Sequence, residues 1–134
     1  MVTPRRTQQA GILVAISLLG AAAWPYLTLP EEAWIAVGEY YAQGLFGLIV
    51  VLFLAVVAIV ILAAGLRERT DPATVAGATV GIGTVMAILA IEWAVAVHRA
   101  GGVAFFTYHP WIVAGISLLL PAIGLLHARR IGLV

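Results

Sequence analysis

Four residues of the 134 have types that could do chemistry together: Glu92, His98, Arg99 and His109. Glu92 lies inside an apolar run, where a carboxylate is costly and marks a candidate site with a nearby partner. Arg99 is seven residues on, on roughly the same helix face. The spacing predicts a Glu92–Arg99 ion pair held inside the fold, with Glu92 ionised and fixing the adjoining loop. A transport role would instead need access to water and a carboxyl that exchanges its proton. His98 and His109 flank the same loop, with Trp93 and Tyr108 nearby. Two imidazoles on neighbouring helices could hold haem, or a metal with Glu92. Against this, the chain has no HxxxH or HExxH spacing, and both His fall at helix ends, so no metal site and no cofactor is expected. His127 adjoins Arg129 and reads as part of a cationic helix C-terminus, which the helix dipole favours. The only serines, Ser17 and Ser117, lie inside apolar runs, where serine usually bonds its own helix, so no catalytic nucleophile is expected.

The elements that must position these residues follow from composition. Hydrophobic residues make up 63% of the chain and charged residues 10%. A soluble domain is about half apolar and about a quarter charged. An ordinary soluble enzyme, a disordered chain and a nucleic-acid binder are thereby excluded. The chain has no Cys, so disulfides and thiol chemistry are absent; it has no Lys, so a P-loop or Schiff base is absent.

A membrane helix needs about 20 apolar residues. Four segments qualify: about 10–29, 44–66, 73–97 and 110–126, the last extended by the apolar stretch at 103–108. Pro30 followed by Glu31 and Glu32 starts a short interfacial helix over about 30–42, broken from the second span near Gly38 or Gly44. Asp71 before Pro72 is an N-cap for the third span, and Pro121 should kink the fourth. The fold class is an all-α integral membrane protein: an up-and-down bundle of four transmembrane helices, forming a single domain over 1–134.

Six of the seven arginines flank the spans on one side, and only Arg99 lies on the other. The positive-inside rule then puts both termini in the cytoplasm. Arg5 and Arg6 before an apolar run ending in Ala21-Ala22-Ala23 also fit a cleaved signal peptide, which would leave three spans. All four Trp and all four Tyr fall at or near the outer side. They suit an anchoring belt or, alternatively, an outward-facing aromatic pocket.

Small residues four apart, Ala73, Gly77 and Gly81, continue along one helix face to Thr84, Ile88 and Glu92. Ser117, Pro121 and Gly124 form a similar stripe on the fourth span. Both faces are expected to pack inside the bundle. The second span is bulky almost all round, so Val51, Phe53 and Ile59 are expected to face lipid.

The arginine-only basic content, the Ala/Gly/Val-rich spans and the phrase Thr70-Asp71-Pro72-Ala73-Thr74 resemble small uncharacterised membrane proteins of halophilic archaea. The resemblance implies a four-span protein of the cell membrane and no particular activity. Length and span count are also similar to small multidrug-resistance transporters and small fluoride channels. The former carry their key Glu in the first span, where this chain has none. The arginine bias also departs from the dual topology seen in members of both families.

The leading expectation is a non-enzymatic accessory, assembly or scaffold subunit. Its partners would be the lipid bilayer and another membrane protein or further copies of itself, not nucleic acid. The alternatives are a small oligomeric proton-coupled transporter or channel using Glu92, and a haem or quinone anchor near His98 and His109.

Overall fold

A computed structural model describes residues 4–100 and 108–134. The apolar stretch expected to extend the fourth span therefore lies outside the described residues, apart from Tyr108. Among the described residues there are five α-helices: α1 (Pro4–Thr28), α2 (Trp34–Tyr41), α3 (Ile49–Leu66), α4 (Pro72–Ala100) and α5 (His109–Arg130). A 3-10 turn over Glu31–Ala33 leads into α2. The four helices other than α2 are long and apolar enough to cross a membrane. They form a closed ring in which α1 packs on α3 and α5, and α4 packs on the same two. Consecutive spans run antiparallel, so the start of α1 and the end of α5 lie at one end, joined by Thr7 and His127.

The interruption at the end of α2 has a local cause. Gly44 and Gly47 both have positive φ, at 83° and 73°, a region costly for side chains with a Cβ. The chain therefore turns between α2 and α3, and Leu48 N–H closes the turn on the Tyr41 carbonyl at 2.8 Å. α3 accordingly starts at Ile49, five residues later than the apolar run alone suggests. At the other end, Asp71 accepts the Thr74 N–H at 3.1 Å, the expected N-cap of α4. α5 runs unbroken through Pro121.

The packing faces differ from expectation on two helices. On α4, Gly77 and Gly81 are exposed, and a Cβ added at either would meet no atom within 4 Å. The inward face is instead Ala76, Thr79, Gly83, Ala87, Ala90 and Ala94, on nearly the opposite side of the helix. Pro121 decides this. Its backbone N would lie 2.8 Å from a Cβ on Gly83, so only glycine permits that approach. Ser117 is buried, and Pro121 and Gly124 lie against α4, where a Cβ on Gly124 would sit 2.9 Å from the Val80 backbone N.

On α3, Val51 is buried, contrary to the lipid-facing expectation, and joins Ala55, Ala58 and Leu62 in an inward stripe. These residues are spaced four, three and four apart, one face of a helix. A uniformly apolar helix hides this stripe because its residue types do not vary around the axis. Phe53 is 67% exposed, as expected, and Ile59 is half-buried.

Candidate functional site at the aromatic end

Pro25 lies inside α1 and has no N–H to donate. The Ala21 carbonyl, four residues back, therefore lacks its helical partner. His109, at the start of α5, fills that position: its Nε2 lies 2.8 Å from the Ala21 oxygen. A carbonyl only accepts, so Nε2 carries the hydrogen, and in the neutral ring Nδ1 accepts from the Tyr40 hydroxyl at 2.7 Å. The Tyr40 carbonyl in turn accepts the Trp93 indole N–H at 3.1 Å. Tyr41 donates its hydroxyl to the Ala22 carbonyl. One continuous network thus joins α1, α2, α4 and α5.

The rings fill the space around these bonds. Tyr40 and Trp93 meet edge-on with centroids 5.2 Å apart, and Tyr40 and His109 lie 5.7 Å apart. Trp93 and Tyr40 are fully buried, and His109 is 5% exposed. Burial pushes the Tyr40 and Tyr41 hydroxyls above the usual phenol range, and for Tyr41 the neighbouring Tyr40 adds to the effect. Both tyrosines therefore act as fixed neutral donors.

Glu92 lies beside this cluster with a different partner from the expected one. Its Oε1 accepts the Leu45 backbone N–H at 3.0 Å. A Cβ on Gly44 would come within 2.6 Å of its Oε2. Glu92 therefore braces the turn between α2 and α3. Arg99 is exposed, and among the described residues no ion pair joins it to Glu92. His98 is also exposed and stacks edge-on with Trp111 at 6.2 Å. The four candidates therefore share one end of the bundle without forming one site. His109 is buried in the network, Glu92 holds a turn, and His98 and Arg99 point outward. Both His109 ring nitrogens are engaged, so axial ligation would require breaking the network. No group of three or more metal-ligating side chains occurs among the described residues.

A family model matches residues 1–132. The chain belongs to DUF7548, a family of unknown function. No curated protein and no solved structure matches it.

The opposite end of this DUF7548 chain has a smaller polar cluster. His127 sits in the last turn of α5 with Arg129 and Arg130, as expected, but it is 2% exposed, and its Nδ1 lies 3.0 Å from Thr7 Oγ1. Its Nε2 has no hydrogen-bond partner among the described residues. Gln8 is buried beside Gly65, so the starts of α1 and α4 and the ends of α3 and α5 converge here.

The aromatic residues divide into two sets. Tyr40, Tyr41 and Trp93 build the buried network, whereas Trp24, Trp34, Tyr108 and Trp111 are exposed, as an anchoring belt requires. Sequence reasoning noted every one of these rings but missed the role of Pro25. The available signal was a proline late in an apolar run, which predicts an orphan carbonyl four residues earlier.

Proposed function

We propose that this chain is a non-enzymatic multi-pass protein of the cell membrane, an accessory, assembly or scaffold subunit that works by packing against other spans. The observation carrying this reading is the uncovered face of α4. Gly77 and Gly81 form a GxxxG pair in an apolar helix, yet their own bundle leaves both exposed. Such pairs let helix backbones approach closely, where van der Waals contact drives association in lipid. The simplest occupant is a second copy, since a two-fold axis would bring the same glycines together.

The polar side chains inside the spans support a structural role. Ser17, Ser117, Thr79 and Thr84 each bond a carbonyl four residues back. Glu92 is used as a turn acceptor rather than as an open proton site. In this reading the arginine-rich end lies in the cytoplasm and the aromatic end outside.

Gly81→Leu tests the association. The purified wild type should run in mild detergent as an assembly larger than one 14.1 kDa chain with its micelle. Gly81→Leu should run as a single chain with unchanged helical content, because Gly81 is exposed and a Cβ there meets no atom of the bundle within 4 Å. Equal sizes for the two proteins would overturn the proposal.

A further inference from the structure

We propose that a cleft at the aromatic end holds one hydrocarbon chain of a membrane lipid whose head group is zwitterionic rather than anionic. The cleft lies between α1, α2, the turn after α2 and α3, and its volume is about 620 Å³. That is within the range of built small-molecule sites, roughly 300–1,000 Å³. Its hollow comes from small residues, Ala22, Ala23 and Gly38, set against larger walls from Tyr26, Phe46 and Leu52.

Three bonds fix the walls before any ligand arrives. Tyr41 is tied to the Ala22 carbonyl, Leu48 N–H to the Tyr41 carbonyl, and Leu45 N–H to Glu92. A preformed cleft loses little ordering entropy on binding. The lining side chains are apolar apart from the two tyrosines, and the Tyr41 hydroxyl is already used. The occupant must therefore be hydrocarbon. Leu45 and Ile49 line the cleft yet are 80% and 70% exposed, so its mouth reaches the surface beside the start of the membrane-length helix α3.

Charge selects the head group. The aromatic end carries Glu31, Glu32, Glu39 and Glu92 against Arg99 alone, a formal charge of −3. An anionic head group at that level is repelled, whereas the ammonium of a zwitterionic one is attracted. This inference rests on the membrane-spanning reading but not on the α4 contact, so lipid retention and assembly size can fail separately.

The test is native mass spectrometry of the full chain released from detergent. It is supplied with equal amounts of dioleoylphosphatidylcholine and dioleoylphosphatidylglycerol. The wild type should retain one phosphatidylcholine per chain. Gly38→Leu puts a side chain into the hollow from a position with no atom within 4 Å of its Cβ. It should lose the bound lipid while melting as the wild type does without lipid. Ala42→Leu, at the exposed rim of the cleft, gives an independent block and should also lose it. Retention of phosphatidylcholine by both variants, or equal retention of the two lipids by the wild type, would overturn the proposal.

Discussion

His109 and Pro25 form a complementary pair: one residue removes a hydrogen-bond donor from α1, and the other supplies one from α5. An unsatisfied buried carbonyl costs about 1–3 kcal/mol. His109→Ala should therefore lower stability by about that amount, read as a fall in the melting midpoint in detergent. Adding Pro25→Ala returns a backbone N–H to the Ala21 carbonyl. The double variant should lose less stability than the sum of the two single variants. Simple additivity would show that His109 does not replace the missing donor. Glu92 and Arg99 should behave in the opposite way. Glu92→Ala releases Leu45 and should cost about 1–2 kcal/mol, while Arg99→Gln should cost almost nothing. Their effects should add, since no contact couples them. The sequence marked Glu92 as a residue needing a partner, and it has one. That partner is a backbone N–H, which every residue but proline carries and which no side-chain pattern marks.

On α4, small residues occupy two opposite faces, and only one of them meets α5. Gly83→Ala brings a Cβ against the Pro121 backbone, which cannot swing aside as a flexible side chain could. It should lower the melting midpoint by the equivalent of about 1–3 kcal/mol, whereas Gly81→Ala should leave it unchanged. Equal effects would mean that α4 is rotated from the orientation described. Helix number, the order of the elements, the short helix between the first two spans and the Asp71 cap were all legible from apolar run length and capping residues. The rotation of α4 was not. Ala73, Gly77 and Gly81 make the more regular stripe, and regular spacing permits close packing without saying whether the partner belongs to the same chain. The turn after α2 was legible only as a break near Gly38 or Gly44. Its second positive-φ glycine, Gly47, delays α3 to Ile49.

Across the whole molecule, charge is divided between the two ends of the bundle. One end carries Arg5, Arg6, Arg67, Arg69, Arg129 and Arg130 against Glu68 and Asp71, a formal charge of +4. The aromatic end carries −3, which leaves the net +1 of the chain. The exposed tryptophans lie at the acidic end; in the proposed orientation aromatic rings would anchor one interface and arginines the other. The proposed α4 contact and the proposed lipid site both presuppose that the four helices cross the membrane, and the proposed orientation adds that the arginine-rich end is cytoplasmic. The chain has no cysteine, so single introduced cysteines can report the crossing directly. Arg69→Cys and Glu32→Cys occupy exposed positions near opposite ends of the bundle. In intact cells, a membrane-impermeant maleimide should label Glu32→Cys at once and Arg69→Cys only after permeabilisation. Labelling of Arg69→Cys from outside, or protection of Glu32→Cys, would contradict the account.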